Sequence, residues 1–214
     1  MPTRRIGPLQ SAGALAFLAL LASLPARAAG ISAQARLAAE RVAVSTCANC
    51  HGWRGHSVAP KFPVLAGQHS GYLLAQLHAF KAQTRGDPDA IGYMWGMAAA
   101  LDDSQMVALS DYYSRQPPVA GPRGDPHLTR RGRAIYLHGD AAEGIPPCAV
   151  CHGPTAAGNT TYPRLAGQHV QYLMKQLRSF KDNLRDVAIM HGVARGLRVA
   201  DMRAVSVYLQ SLGS

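Results

Sequence analysis

The chain has 214 residues, of which 48% are hydrophobic and 16% are charged, and this balance excludes an intrinsically disordered protein. Its 21 glycines and 14 prolines follow no fixed period, which excludes a collagen-like or low-complexity chain. The length, together with a formal net charge of +10, predicts a folded, globular protein of one large domain or two small ones that favours acidic partners.

The N-terminus has the pattern of a secretory signal peptide. Arg4 and Arg5 precede an apolar stretch at residues 11–24, and residues 26–28 form an Ala-Arg-Ala cleavage motif. The stretch is shorter than the roughly 20 residues that span a bilayer, which disfavours the alternative of a membrane anchor. We therefore expect residues 1–28 to be removed on export, with the mature protein in the periplasm.

The positive charge of the expected mature chain is concentrated in its second half. Residues 29–116 carry 7 Lys and Arg against 6 Asp and Glu, whereas residues 117–214 carry 12 against 6. An exported protein seldom meets nucleic acid, so this charge predicts contact with an acidic protein face or with anionic lipid headgroups. A basic surface that serves solubility alone is the alternative.

The first predicted helix, from Ala33 to Ser45, leads directly into the first of two Cys-x-x-Cys-His motifs. Together these motifs use all the cysteines of the chain, and a histidine directly follows each pair. The motif residues are Cys47, Cys50 and His51 in the first copy and Cys148, Cys151 and His152 in the second.

Each Cys-x-x-Cys-His motif predicts the covalent attachment of one haem c. The two thiols add to the haem vinyl groups, and the adjacent imidazole reaches the iron. Two disulfides, a zinc site and a redox dithiol are the alternatives, but none of them explains a histidine after both pairs in an exported chain.

The motifs open an internal repeat that covers the rest of the chain. Residues 65–69, Leu-Ala-Gly-Gln-His, recur at 165–169, and the Met-x-Gly segments at Met94 and Met190 match at an offset of 96. A stretch rich in proline and glycine separates the copies. We therefore predict two domains, residues 29–116 and 127–214, joined by a semi-rigid linker at residues 117–126.

The remaining patterns predict an all-α protein. Apolar residues recur at helical spacing from Gln68 to Ala82 and in the copy one hundred residues later. Asp102 and Gln105 are spaced as a capping box before the last helix of the first half, whereas its counterpart from Val199 has no such cap. No segment alternates as a strand.

The order of these motifs, used twice, resembles the dihaem cytochromes c of the c4 type, which have two class I cytochrome c domains in tandem. The resemblance covers nearly all of the expected mature chain. It is carried by the two Cys-x-x-Cys-His motifs, by the Leu-Ala-Gly-Gln segments that follow Pro63 and Pro163, by a Tyr-x-x-x-Gln-Leu-x-x-Phe-Lys helix in each half, and by the Met-x-Gly segments.

The resemblance implies further site residues. Met94 and Met190 would be the distal iron ligands opposite His51 and His152, with Met97 as a rival to Met94. Pro63 and Pro163 would accept the N–H of the proximal imidazole through their carbonyl groups. His69 and His169 would have a surface or capping role at the start of a helix, with iron ligation as the alternative. One departure is Trp53-Arg54 after the first motif, where the family has a small polar turn.

The resemblance also implies a function. With two protein ligands on each iron there is no open coordination position, so the expected role is one-electron transfer without catalysis. The implied donors are a quinol-oxidising complex or a dehydrogenase, the implied acceptor is a terminal oxidase, and peripheral membrane association is compatible with the basic charge. The alternatives are a subunit of a sulfide-oxidising flavoprotein and a dihaem enzyme such as a peroxidase or a thiosulfate dehydrogenase.

Overall fold

The computed structural model describes residues 1–3 and 31–213. The expected signal peptide, residues 1–28, lies outside this range apart from its first three residues. Within the described residues the chain is helical, without β-strands, which confirms the predicted all-α class. No helix in the described range is both long and apolar enough to cross a membrane.

Each half has three longer helices, together with a short helix that carries its Cys-x-x-Cys-His motif. The helices of the first half are α1 (Ala33–Val42), α2 (Ala48–His51), α3 (Ser70–Lys81), α4 (Trp95–Ala99) and α5 (Asp103–Ser114). Those of the second half are α6 (Pro126–His138), α7 (Ala149–His152), α8 (Val170–Lys181), α9 (Ala188–Gly196) and α10 (Val199–Ser211).

The first cysteine motif lies at the end of a continuous helical stretch. The Ser32 side chain caps α1 by accepting from the Ala35 backbone N–H at 3.1 Å, and a π-helical turn, Ala43–Cys47, joins α1 to α2. The stretch ends at Gly52, whose positive φ of 74° is a backbone conformation that glycine adopts without steric strain. The helix predicted before the motif is thus confirmed, and it presents Cys47 and the residues after it from a rigid support.

The cores of the two halves are built from the same helices. In the first half α5 packs on α1 and α3, and in the second half α10 packs on α6 and α8. Met106 in α5 and Met202 in α10, whose helical spacing is that of core residues, are fully buried, whereas Met174 in α8, at similar spacing, is only partly buried. The close packing of the terminal helices fixes the segments between them, which carry the histidines and the Met-x-Gly motifs.

The N-terminal ends of α5 and α10, the last helices of the two halves, differ as the sequence predicted. Asp102 accepts from the Gln105 backbone N–H at 2.8 Å, and the Gln105 side chain accepts from the Asp102 backbone N–H at 2.9 Å. This reciprocal pair confirms the capping box at α5. At α10 the corresponding residue, Arg198, provides no side-chain cap.

The linker packs against both halves. It is irregular as far as Asp125, and the last residue of the predicted range, Pro126, is already the first residue of α6. A Cβ atom at Gly167 would lie 2.0 Å from the Val119 carbonyl oxygen, and one at Gly67 would lie 2.8 Å from Pro118. Both glycines have positive φ, so the linker occupies space that only glycine leaves open.

Candidate haem sites

The thiols of both cysteine motifs are free and partly buried. None of Cys47, Cys50, Cys148 and Cys151 takes part in a disulfide, and all four lie within the described residues. Burial raises the pKa of Cys148 to about 11 and also raises the pKa of Cys47 above its usual value. These two thiols are therefore protonated at neutral pH.

The imidazole after each cysteine pair is held by a proline carbonyl. His51 Nδ1 lies 3.0 Å from the Pro63 carbonyl oxygen, and His152 Nδ1 lies 3.0 Å from the Pro163 carbonyl oxygen. Since a carbonyl can only accept, Nδ1 must donate, and the lone pair is left on Nε2. Burial lowers the pKa of both histidines, although the bond to proline opposes this shift, so both rings are neutral at pH 7.

The methionine segments lie next to the core. Met94 ends a π-helical turn, Ala90–Met94, and packs against a small buried cluster of Phe80, Ala90 and Ala98. Its rival Met97 is 53% exposed and lies outside that cluster. Met190 is partly buried in the first turn of α9.

Aromatic rings connect the histidine and methionine segments of the first half. The ring centroids of His51 and Phe62 are 6.2 Å apart, and those of Phe62 and Tyr93 are 5.7 Å apart, both in edge-to-face geometry. The second half has only the first of these contacts, between His152 and Tyr162 at 5.9 Å. Because Tyr93 precedes Met94, the fold brings the two predicted ligand segments of the first half together.

Trp53 and Arg54 stand at the surface directly after the first motif. The Trp53 side chain is 59% exposed, and the Arg54 guanidinium lies 5.9 Å from its ring centroid. Arg54 has a left-handed backbone with φ of 54°. The departure from the family turn therefore places an exposed indole and a cation beside the first cysteine motif.

The donor set in each half fits haem c. It consists of two free thiols, an imidazole with its lone pair on Nε2, and a partly buried thioether. Thiols at this spacing attach the haem, and imidazole and thioether are the axial ligands of cytochromes c.

Two glutamines join the halves by a reciprocal set of hydrogen bonds. Gln68 donates through Nε2 to the Arg164 carbonyl oxygen and accepts through Oε1 from the Arg164 backbone N–H, both at 2.9 Å. Gln168 makes the same two bonds to Val64, at 3.0 and 2.9 Å. Val64 and Arg164 directly follow the prolines that hold the histidines, so the interface between the halves supports both histidine segments.

His69 and His169 also belong to this interface. His69 Nε2 lies 2.8 Å from the Ala157 carbonyl oxygen, and His169 Nε2 lies 2.9 Å from the Ser57 carbonyl oxygen. Neither side chain caps the helix that follows it. The surface or capping role that the sequence favoured is therefore wrong, because each ring bonds to a carbonyl group of the other half. Residues so far apart in the chain leave no local sequence pattern.

A buried polar network completes the interface. Arg85 binds both oxygens of Asp87, at 2.9 and 3.0 Å, and Arg185 bonds to Gln76 and Gln176, each at 2.7 Å. Burial alone would raise the pKa of Asp87, but the hydrogen bonds and charge of Arg85 outweigh burial and lower it. This network was not predicted, although the arginine and the glutamine each recur after one hundred residues and could have revealed it.

The comparison with known proteins follows the same division into halves. The cytochrome c family model matches residues 37–114 and again residues 130–213. The chain is 40% identical to cytochrome c4 of Azotobacter vinelandii, over 86% of this chain and 94% of that protein. It is 33% identical to a thiosulfate dehydrogenase electron acceptor of Stutzerimonas stutzeri, over 91% of this chain and 92% of that protein.

The solved structures of similar proteins agree. The structure of Acidithiobacillus ferrooxidans cytochrome c4 matches with a TM-score of 0.74 and 40% identity, over 78% of this chain and 98% of that one. The structure of cytochrome c4 from Pseudomonas stutzeri matches with the same TM-score and 38% identity, over 86% of this chain and all of that one. With its two tandem domains and two covalently bound haem c groups, the chain therefore belongs to the dihaem cytochrome c4 family of electron carriers.

Proposed function

We propose that the chain is a periplasmic carrier of single electrons that, after loss of residues 1–28, consists of domains at residues 29–116 and 127–214 joined by the linker at residues 117–126. The family supports electron transfer, and the charged, apolar and small-residue parts of the N-terminus support export. The proposed donors are a quinol-oxidising complex or a dehydrogenase, and the proposed acceptor is a terminal oxidase. Peripheral association with the membrane would bring the carrier close to both.

The proposed roles of the site residues are the same in each half. Cys47 and Cys50, and likewise Cys148 and Cys151, form thioether bonds as each S–H adds across a haem vinyl group. His51 and Met94 bind one iron, and His152 and Met190 bind the other. When bound, each haem supplies an iron that takes up and releases one electron.

The observation that carries this proposal is the matched bond from His51 to Pro63 and from His152 to Pro163. A donated Nδ1–H fixes the tautomer and the ring orientation, and it makes Nε2 a better ligand. The carbonyls themselves are set by the neighbouring residues Val64 and Arg164, which the two glutamines bind from the other half. Both histidine rings are thereby held in one orientation, with Nε2 left as the ligand atom.

One similarity favours a more specific donor. The Stutzerimonas stutzeri relative that matches over most of both chains is described as an electron acceptor of thiosulfate dehydrogenase. A thiosulfate dehydrogenase from Marichromatium purpuratum also matches, with a TM-score of 0.72 and 30% identity, but this chain covers 39% of it. The dehydrogenase among the proposed donors is then one that oxidises thiosulfate, with this chain as its electron acceptor.

The optical spectrum of the oxidised, haem-loaded protein tests the ligand set. Coordination of iron by a thioether gives a weak far-red band, so two methionine ligands per chain should give twice the band of one. We expect Met94→Ala and Met190→Ala each to remove half of its intensity.

The exposed Met97 provides the control, since Met97→Ala should leave the far-red band intact. A band that survives Met94→Ala and disappears with Met97→Ala would move the first distal ligand to Met97. A high-spin spectrum of the unaltered protein would mean an open iron, and the proposed carrier would give way to an enzyme.

A further inference from the structure

The segment that carries Met94 is bound at its N-terminal end by a residue of the other half. Lys175, in α8, forms an ion pair with Asp89. Asp89 directly precedes the π-helical turn Ala90–Met94. The Lys175 ammonium also donates to the Lys61 carbonyl oxygen at 3.2 Å, so this one side chain connects two segments of the first half.

The C-terminal end of the same segment is bound through Lys61. Its ammonium group donates to the Tyr93 hydroxyl at 2.5 Å and lies 4.4 Å from the Tyr93 ring centroid. Tyr93 is the residue before Met94. Lys175 therefore binds Asp89 directly. It also binds the backbone of Lys61, whose side chain binds Tyr93.

The ion pair lies in a sheltered position. The side chains of Lys175 and Asp89 are 30% and 29% exposed, so solvent and salt screen them less than a pair at the open surface. Neighbouring contacts from the second half reinforce them: Gln176 Nε2 lies 3.4 Å from Asp87, and the Gly86 backbone N–H donates to the Leu184 carbonyl oxygen at 2.8 Å. The second half thus contacts the chain before Met94 at Gly86, Asp87 and Asp89.

The second half has no equivalent of this arrangement. In the repeat, Ala75 stands where Lys175 would be expected, Thr161 stands for Lys61, and Ile189 stands for Tyr93. The segment before Met190 is four residues shorter, and this difference removes the position of Asp89. Ile189 is 54% exposed. The Lys175–Asp89 ion pair thus has no counterpart at Met190, where the first half instead bonds to Arg185 through Tyr72 and Gln76, at 2.8 and 2.7 Å.

We propose that Lys175 is a positioning residue that keeps the Met94 segment closed, so that the second domain controls how readily the first haem loses its distal ligand. This inference rests on the proposed ligation by Met94. No ion pair of this kind holds the Met190 segment, which is held by hydrogen bonds of Arg185 to Tyr72 and Gln76 and of His191 Nδ1 to the Phe180 carbonyl oxygen. Loss of Lys175 should therefore affect displacement of the methionine at the first haem alone.

The test is the rate at which imidazole displaces the methionine in the oxidised, haem-loaded protein, followed by loss of the far-red band. The Met190→Ala background reports the first haem alone, and the Met94→Ala background reports the second. We expect Lys175→Gln and Asp89→Asn each to increase the rate at the first haem by about fivefold, as loss of a partly sheltered ion pair implies. The rate at the second haem should not change.

Two further variants separate the positioning role from a general effect of charge or stability. Arg203→Gln removes one exposed positive charge from the second half and should change neither rate. The reversed pair Lys175→Glu with Asp89→Lys should bring the first rate back toward that of the unaltered pair. If Lys175→Gln leaves the first rate unchanged, or changes both rates equally, the inference is wrong while the ligand assignment stands. If the far-red band does not respond to Met94→Ala, the ligand assignment itself fails.

Discussion

At the scale of single residues, Asp201 is a buried carboxylate of the second half that forms ion pairs with two arginines. Its side chain is 3% exposed, and it accepts from Arg131 Nη2 at 2.8 Å and from Arg198 Nε at 2.7 Å. Burial raises its pKa, but the hydrogen bonds from these two arginines outweigh burial and lower the pKa below its usual value. The charged form is therefore the one that stabilises the fold.

We expect Asp201→Asn to lower the free energy of unfolding by about 1–3 kcal/mol at pH 7, since two donors lose a charged acceptor. Because the folded pKa is lowered, the carboxylate contributes fully above its unfolded value and loses its contribution as the pH falls through the folded value. The difference between variant and unaltered protein should therefore shrink below about pH 4. Denaturant titrations of the haem-loaded protein across this pH range measure it.

Asp182→Asn is the control for this measurement, because Asp182 is exposed. It should change the free energy of unfolding little at any pH. A loss at Asp201→Asn that stays constant down to pH 2 would show that the ionised carboxylate is not the stabilising form.

At the scale of helices, the two halves end in similar helices that begin differently. The capping box of Asp102 and Gln105 satisfies two backbone N–H groups at the start of α5. At α10, Arg198 instead binds Asp201, three residues further on, and provides no side-chain cap.

Asp102→Ala should therefore destabilise the first half by about 1 kcal/mol, the usual cost of losing a helix N-cap. The midpoint of denaturant unfolding measures this loss. Asp103→Ala, at an exposed position in the first turn of the same helix, is the matched control and should change stability much less. Equal losses at the two positions would mean that the charge of the first turn matters, and not the cap.

Helices α6 and α10 are in close contact at Gly132. A Cβ atom there would lie 2.0 Å from the Ala204 carbonyl oxygen and 2.8 Å from the Tyr208 Cβ, so α6 and α10 leave no room for a methyl group. We expect Gly132→Ala to cost about 1–3 kcal/mol of unfolding free energy through overpacking. Arg133→Ala, exposed on the same helix, should leave the unfolding midpoint nearly unchanged. An unchanged midpoint for Gly132→Ala would show that the two helices can separate without loss.

Features of single helices could be predicted because their causes are local. The capping box depends on residues three apart, and the buried methionines depend on helical spacing, so the sequence contains both signals. The π-helical turns before Cys47 and at Met94 could not be predicted, since they depend on how the helix packs and not on residue type. The roles of the cysteines and of His51 and His152 were predicted from the motifs, and those of the methionines and prolines from the family resemblance; as iron and haem ligands they stay predictions.

At the scale of the whole molecule, the charge is asymmetric. The second half carries a net +6 and the part of the first half from residue 29 carries +1. Long-range attraction raises association rates for partners of opposite charge and weakens as salt screens it. The rate of electron exchange with the anionic complex hexacyanoferrate should therefore fall as ionic strength rises.

Charge-neutralised variants locate this effect. Arg130→Gln with Arg133→Gln removes two exposed charges from α6 in the second half, and should reduce the dependence on ionic strength. Arg36→Gln with Arg41→Gln removes two from the first half and should reduce it less. Hexaammineruthenium, a cationic reagent, should show the opposite trend. Rates that do not respond to salt would contradict a role for the basic second half in docking.

Contacts between the halves were the part of the structure that sequence patterns could not supply. His69 and Lys175 meet partners 88 and 86 residues away, in segments whose relative placement depends on how the two domains pack. The sequence suggested a surface or capping role for His69, or iron ligation, and it indicated no role for Lys175. The repeat itself was visible, but the way in which the copies face each other was not.

The reciprocal bonds of Gln68 and Gln168 have a consequence for how such a chain could arise. Each copy offers the same glutamine to the same backbone position of the other, and His69 and His169 follow the same rule. Contacts of this kind, in which residue i meets j and j meets i, define the isologous interface of a two-fold symmetric dimer. The two domains are thus related as the subunits of a homodimer would be. Covalent joining by the linker frees each copy to change alone, and the Lys175–Asp89 pair, present on one side only, is a change that an obligate dimer of identical chains could not confine to one subunit.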